Sequence, residues 1–147
     1  RLDGVTGVQT CALPIWFIDF TEYDDDGKPQ DRDDNFIANA PEFISNIGLS
    51  FNYKKFAAGL NFKHTGEQYT DNSQTSEKTR DENLTIDEFS VFDLRFSYQL
   101  EVFGISSVVS AEIINLMNKY YLMTGFGSDN FFPASTRSYF LSLKVSY

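Results

Sequence analysis

The sequence predicts an all-β fold whose antiparallel strands run up and down in chain order. The first observation is alternation: four segments, residues 46–53, 56–63, 92–99 and 138–147, place apolar side chains on one face and mostly polar ones on the other. The second is that very tight turns alternate with long polar connections. Outer-membrane barrels have short periplasmic turns and long external loops. We therefore predict a partial transmembrane β-barrel, with the tight turns in the periplasm and the long loops outside.

The predicted elements follow directly from this pattern. A strand tail covers residues 16–21, and five full strands cover residues 43–53, 56–65, 89–101, 105–114 and 137–147. Each full strand is long enough for a tilted membrane crossing, which needs about 9 to 11 residues. About six strands are too few for a closed barrel, since small barrels need about eight. We therefore expect residues 16–147 to be the C-terminal portion of an outer-membrane β-barrel.

The N-terminal residues do not follow the pattern. Residues 5–15, VTGVQTCALPI, lack alternation and contain the only cysteine, Cys11. Translated back into codons, the segment resembles a common sequencing-library adapter, in one frame that continues into the codon of Trp16. We interpret residues 1–15 as an adapter-derived artefact and exclude them from the fold. The remaining sequence then has no thiol for disulfide or cysteine-metal chemistry.

Composition excludes several function classes. The net charge is −9 without any basic stripe, which disfavours nucleic-acid binding. No apolar run is long enough for a transmembrane helix. The mean hydropathy of −0.31 is compatible with a barrel, because only alternate strand residues face lipid. Aromatic residues are predicted to form two interfacial belts. The turn-side belt is Tyr53, Phe56, Tyr98, Phe103 and Tyr147, and the loop-side belt is Phe43, Phe89, Phe92 and Tyr139.

No set of residues predicts catalysis, so we expect neither an enzyme nor a cofactor. His64 is the only histidine and has no nucleophile at motif spacing, which favours a residue at the barrel rim. The acidic loop over residues 22–34 approximates a calcium loop. It departs from that pattern at Glu22, Pro29 and Asp33 and has no flanking helices, so a solvated loop without metal is favoured.

Two groups of residues are candidates for contacts with a ligand or with the rest of the protein. A polar stripe on the predicted lumen face consists of Asp93, Arg95, Gln99 and Glu112. These residues contact a plug or ligand path, or simply line a wet interior, and the second interpretation is favoured. The candidate ligand-binding residues are four aromatics of the outer loops: Tyr69, Phe126, Phe131 and Phe132. The sequence leaves ligand binding and loop packing open for them.

Several local motifs resemble the C-terminal end of TonB-dependent outer-membrane receptors. The most specific is INLMNKYY at residues 114–121. The others are APEF followed by NIGLS within residues 40–50, GEQYTD at residues 66–71, and FPA followed by RSYF within residues 132–140. The resemblance implies a barrel of about 22 strands with a plugged lumen. It also implies active uptake of a scarce ligand, such as a siderophore-iron complex, across the outer membrane of a Gram-negative bacterium.

The resemblance also implies partners and an assembly signal. The partners are outer-membrane lipid, the missing N-terminal strands and plug domain, the TonB energy-coupling complex reached through the missing N-terminus, and the barrel insertion machinery. The assembly signal is the alternating final strand with its terminal aromatic: Tyr139, Leu141, Leu143, Val145 and Tyr147. A passive porin or a barrel-anchored adhesion protein is the alternative function. A soluble lipocalin-like binder is disfavoured, because it has no use for two aromatic belts.

Overall fold

The structure, a computed structural model, describes residues 21–23, 26–31, 36–72 and 84–146. The strands in this part of the chain are β1 (Thr21–Tyr23), β2 (Pro29–Asp31), β3 (Ile44–Tyr53), β4 (Phe56–Thr65), β5 (Gln68–Tyr69), β6 (Thr85–Ile86), β7 (Phe89–Val102), β8 (Ile105–Ile114), β9 (Leu122–Phe126), β10 (Asn130–Pro133) and β11 (Ser138–Ser146). No helix among the described residues is long and apolar enough to cross a membrane.

The five long strands form one open antiparallel sheet. Its order is β11-β8-β7-β4-β3, so β3 and β11 are the two edges. The all-β, antiparallel fold predicted from alternation is therefore confirmed, and the bounds of the five long strands differ from the predicted ones by one residue at most. The predicted tail over residues 16–20 lies outside the described residues. Thr21 belongs to β1, which pairs with β2 in a separate two-stranded sheet.

Strand register turns the alternation of single strands into two continuous faces. On one face, rows of apolar side chains cross the sheet, for example Leu49, Leu60, Leu94 and Ile113 in consecutive paired positions. On the other face, Asn61 pairs with Asp93, and Arg95 pairs with Glu112. A slip of one residue would move each apolar set to the polar face. The sheet therefore has one apolar face, five strands wide, and one polar face.

The long connections contain more structure than their polar sequences predicted. The connection after β4 contains the short β5-β6 pair, and the connection after β8 contains the β9-β10 hairpin. By composition alone, residues 68–83 are a polar, disorder-leaning loop tip, but the first of these residues are buried. Gln68, Tyr69 and Thr70 are among the most buried residues described. Their burial depends on partners in other loops, which periodicity within one segment does not encode.

The buried core lies at the loop end of the sheet. Its apolar members are Tyr69, Leu84, Ile86, Phe89 and Val91. Phe89 is buried and its ring stacks on that of Tyr121, with centroids 4.1 Å apart. The prediction that Phe89 belongs to a lipid-facing belt is therefore wrong, because a loop covers its side chain. The body of the sheet, by contrast, exposes large apolar side chains such as Leu49, Leu141 and Leu143.

Candidate functional site

Three connections join at the loop end of the sheet and form what we call the loop cap. They are the segment before β3 (residues 36–43), the connection from β4 to β7 (described residues 66–72 and 84–88) and the connection from β8 to β11 (residues 115–137). The cap contains all four aromatics predicted to bind a ligand. Its segments are far apart in the sequence, and hydrogen bonds between their backbones connect them. The conformation of each loop therefore depends on the other two.

The segment from Gln68 to Thr70 is the centre of the cap. Gln68 Nε2 donates to the carbonyl oxygen of Met123 at 2.8 Å. Thr70 Oγ1 donates to the carbonyl oxygen of Gly127 at 2.7 Å, while Gly127 N–H donates to the Thr70 carbonyl at 3.3 Å. These buried side chains satisfy polar backbone groups of the β9-β10 hairpin. Loss of a partner would leave a buried group unsatisfied, which costs about 1 to 3 kcal/mol.

Asn39 connects the third segment to the same centre. Its backbone N–H donates to the carbonyl oxygen of Tyr69 at 2.7 Å, and its Oδ1 accepts from Thr124 Oγ1, also at 2.7 Å. Asn39 has a φ of 56°, a left-handed conformation that asparagine adopts more readily than most residues. One asparagine therefore holds residues 36–43 against both other loops.

Gly125 marks the closest approach of two of these loops. A Cβ atom at this position would lie 2.7 Å from Thr70 Cγ2 and 3.0 Å from Phe131 Cδ1. Real Cβ atoms do not come so close to a neighbour, so only glycine fits without a shift of the loops. Gly125 therefore allows the β9-β10 hairpin to pack directly on Thr70.

Asn115, the first asparagine of the INLMNKYY motif, organises the connection between β8 and β11. Its side chain is 1% exposed. Nδ2 donates to the carbonyl oxygens of Lys119 at 2.8 Å and of Ser135 at 3.2 Å, and Oδ1 accepts from Lys119 N–H at 2.9 Å. Its own N–H donates to the Asp93 carboxylate at 2.9 Å. The side chain therefore uses both donors and its acceptor to close the loop.

The same motif positions the start of the last strand. Asn118 Oδ1 accepts from Arg137 N–H at 3.0 Å, immediately before β11. Both Asn115 and Asn118 have left-handed φ values, 55° and 53°. Sequence reasoning recognised this motif through resemblance but assigned no role to the asparagines. The available signal was the residue type, since asparagine combines a tolerance of positive φ with hydrogen bonds to nearby backbone.

Tyr121, a residue of the cap, lies near Asp93 of β7. Burial, and secondarily the negative charge of Asp93, raise the pKa of the Tyr121 phenol above its ordinary value. The ring of Tyr121 covers that of Phe89. Asp93 thus interacts with two residues of the cap: its charge raises the pKa of Tyr121, and its carboxylate accepts a hydrogen bond from the N–H of Asn115.

The four predicted ligand-binding aromatics differ in exposure. Tyr69 is 3% exposed and stacks on Phe36 with a centroid distance of 5.1 Å, so its ring packs the loop. Phe131 is partly buried, on the side of the hairpin that faces Thr70. Phe126 and Phe132 are 72% and 56% exposed. Because Phe126 pairs with Asn130, two residues before Phe132, both exposed rings lie on the same face of the hairpin.

The predicted polar stripe lies on the polar face of the sheet. Arg95 and Glu112 form an ion pair with an N–O distance of 2.6 Å, and Asp93 lies beside them. They line a hollow of about 320 Å³, together with Asn61 and Gly59. Arg95 is largely exposed, so the pair contributes little stability on its own. Gln99 is connected to the turn after β3 through its backbone N–H, which donates to the carbonyl oxygen of Lys55 at 2.8 Å.

His64 lies where β4 meets the loop cap. Its Nδ1 is 2.9 Å from Ser90 Oγ, and its Nε2 is 3.9 Å from Glu88. It borders a hollow of about 540 Å³ that Glu42 and Glu67 also line. In the described part of the chain, no three or more His, Cys, Asp or Glu side chains are grouped so that they could hold a metal ion together. Residues 24, 25 and 32–34 of the acidic loop lie outside that part, so the interpretation of that loop stays a prediction.

Four members of the predicted assembly signal lie on β11. Tyr139, Leu141, Leu143 and Val145 are all exposed and alternate with residues that are polar except for Phe140. They lie on the apolar face, paired with β8 from Ile113 to Ser107. Tyr147, the fifth member, lies outside the described residues. A role in assembly stays a prediction for all five residues.

Comparison with known proteins gives matches at the level of structure. No protein-family model and no curated protein sequence matches the chain. The ferric preacinetobactin receptor BauA from Acinetobacter baumannii is similar, with a TM-score of 0.63, 21% identity and 76% of this chain covered. The siderophore receptor PiuA from the same species has a TM-score of 0.64 and 17% identity, with 84% of this chain covered. The ferric citrate transporter FecA has a TM-score of 0.61 and 13% identity, with 80% of this chain covered.

These similarities define the fold. The open sheet and its connections have the fold of a barrel segment of TonB-dependent receptors, as the motifs predicted. The chain spans only 16% of BauA and of PiuA and 19% of FecA. The three similar proteins are two receptors and one transporter.

Proposed function

We propose that the chain is the C-terminal barrel portion, residues 16–147, of a TonB-dependent receptor in the outer membrane of a Gram-negative bacterium. The complete receptor takes up a scarce ligand, such as a siderophore-iron complex, and is not an enzyme. The main support is a sheet with one continuous apolar face and one polar face, in a fold shared with ferric-chelate receptors. Such a sheet suits lipid on one side and a wet lumen on the other.

The loop cap supports a receptor function for the external end. Its loops are connected by buried hydrogen bonds, so the exposed rings of Phe126 and Phe132 are held on a well-packed support. A rigid support lowers the entropy lost when a surface binds a ligand. We propose these two rings as ligand contacts, while Tyr69 and Phe131 fix the loop beneath them.

The test uses the complete receptor gene in a Gram-negative host that lacks its own ferric-chelate receptors. Under iron limitation, growth is measured with a panel of ferric siderophores and ferric citrate, with and without the TonB complex. We expect growth on at least one chelate that requires the TonB complex. Growth that is equal without the complex, together with unselective passage of small solutes, would identify a passive porin instead.

A matched pair of variants tests the proposed ligand contacts. Phe126→Ala combined with Phe132→Ala should weaken binding of the transported chelate to whole cells. Phe103→Ala is the control, because Phe103 is fully exposed but lies in the turn at the other end of the sheet. Surface amounts of all variants are compared by immunoblot. Equal affinity of the double variant and the wild type would remove these rings from the ligand surface.

A further inference from the structure

The turn between β3 and β4 contains a compact site at the end opposite the loop cap. Tyr53, Lys54, Lys55 and Phe56 surround a hollow of about 320 Å³ with Tyr98 of β7. Tyr53, Phe56 and Tyr98 occupy paired positions, so the three rings form one row on the apolar face. This row is the turn-side end of the apolar surface on β3 and β4, while β7 continues on the same face with Leu100.

The two lysines of this turn have different surroundings. Lys55 Nζ forms an ion pair with Glu101 at 3.2 Å, and Glu101 belongs to the polar face. Lys54 Nζ lies 5.2 Å from the centre of the Tyr53 ring, which belongs to the apolar face. Among the described residues, no carboxylate forms an ion pair with Lys54. The turn therefore carries one uncompensated positive charge, on the side of the apolar face.

The apolar face continues from this turn towards the centre of the sheet. In the next row towards the centre of the sheet, Ala58 pairs with Phe51 on one side and with Phe96 on the other. The small alanine leaves a notch between two large rings, directly beside the Tyr53-Phe56-Tyr98 row. A cation with an adjacent apolar notch matches a ligand with an anionic head and a hydrocarbon chain.

The backbone at Lys54 is unusual for the residue that it carries. Its φ is 53°, a left-handed conformation that favours glycine or asparagine. A lysine there is strained by about 1 kcal/mol or more. The tight hairpin turn requires this conformation, since Phe103 in the other tight turn has a φ of 51°.

We propose that this turn binds the phosphate of an anionic glycerophospholipid such as phosphatidylglycerol. Lys54 contacts the phosphate, the hydroxyls of Tyr53 and Tyr98 donate to its headgroup, and an acyl chain follows the notch at Ala58. The inference rests on the proposed membrane-spanning function. We choose a phospholipid over lipid A because one free lysine and a small hollow suit a single phosphate.

The test is native mass spectrometry of the complete receptor, purified from outer membranes in mild detergent and titrated with phosphatidylglycerol. Lys54→Asn removes the charge and suits the positive φ, so the turn still folds. We expect this variant to bind phosphatidylglycerol about fivefold more weakly, the effect of one lysine at an anionic membrane surface. Lys54→Arg should restore binding. Lys63→Gln, which removes a lysine from the polar face, should not change it.

Each other outcome overturns the proposal. Equal binding by Lys54→Asn and the wild type would show that Lys54 does not hold the lipid. A preference for lipid A over phosphatidylglycerol would indicate that the turn lies in the outer leaflet. Complete displacement of the lipid by inorganic phosphate would show that the acyl chain contributes nothing to binding. Failure of the proposed function would look different from failure of the lipid proposal, because a protein that is not in the outer membrane could not be purified from the outer-membrane fraction. A receptor that transports normally but shows no Lys54 dependence would contradict only this inference.

Discussion

The loop cap and the body of the sheet are stabilised in different ways. In the cap, polar side chains such as Thr70 and Asn115 are buried and hydrogen-bonded to the backbone of other segments. In the sheet, backbone hydrogen bonds connect the strands, while large side chains such as Leu141 and Leu143 remain exposed on the apolar face. The cap is therefore held by contacts within the chain, whereas the sheet needs a surrounding that covers its apolar face.

This difference separates two kinds of substitution. A change in the cap should alter loop conformation and ligand contacts while the barrel still inserts into the membrane. A change on the apolar face should alter insertion itself, because the cost arises in lipid. The following variants of the complete receptor test this separation, beginning with the largest expected effect.

The largest effect is expected on the apolar face of β8. Ala111 pairs with Phe96 and Leu141 on this face, and the adjacent Ser110 belongs to the polar face. Ala111→Arg should destabilise the membrane-inserted state by about 2 to 4 kcal/mol, the cost of arginine near the bilayer midplane. Ser110→Arg is the matched control and should be tolerated. Heat-modifiable barrel in outer membranes is the measurement, and equal loss in both variants would refute the assignment of faces.

A smaller, local effect is expected from Asn115→Gly. Glycine adopts the positive φ of this position, so the variant removes the side-chain hydrogen bonds without adding backbone strain. We expect the free energy of local opening of residues 115–137 to fall by about 2 to 3 kcal/mol. Hydrogen exchange of the Lys119 amide measures this opening. Asn130→Ala, at an exposed position of the same cap, should leave exchange unchanged, and loss of insertion in Asn115→Gly would contradict the separation.

The smallest effect is expected from Gly125→Ala, which tests the contact between two loops. The added Cβ would clash with Thr70 Cγ2, and we expect a cost of about 1 to 2 kcal/mol to cap stability. Combining it with Thr70→Ser removes that methyl group and keeps the hydroxyl. Limited proteolysis of the external loops should show partial recovery in the double variant. Identical cleavage of Gly125→Ala and the wild type would show that the loops do not pack at this point.

The strands were predictable from the sequence because a strand in a two-faced sheet repeats every two residues. Phe56–Thr65 has its predicted bounds, and Phe89–Val102 extends one residue beyond them. The resemblance to receptor motifs also identified the fold that the structural similarities support.

The loop cap could not be predicted in the same way. Gln68 and Thr70 look like loop residues in a polar segment, but their partners are Met123 and Gly127, more than fifty positions away. Phe89 was assigned to the belt with Phe92 although alternation places it on the polar face with Asp93, and the cover that Tyr121 provides has no signal in the sequence. The sequence identified aromatic residues in the outer loops as candidate ligand contacts. It could not show that Phe126 is exposed and Tyr69 buried, because both depend on tertiary packing.

The most direct test of the central claim is the sidedness of the sheet in intact cells. Ser128→Cys, in the exposed turn of the cap, and Phe103→Cys, in the turn after β7, are introduced singly into a complete receptor without other cysteines. A membrane-impermeant maleimide should label position 128 on intact cells and position 103 only after the outer membrane is permeabilised. Equal labelling of both positions on intact cells, or labelling of position 103 alone, would contradict a sheet that spans the outer membrane with its loop cap outside.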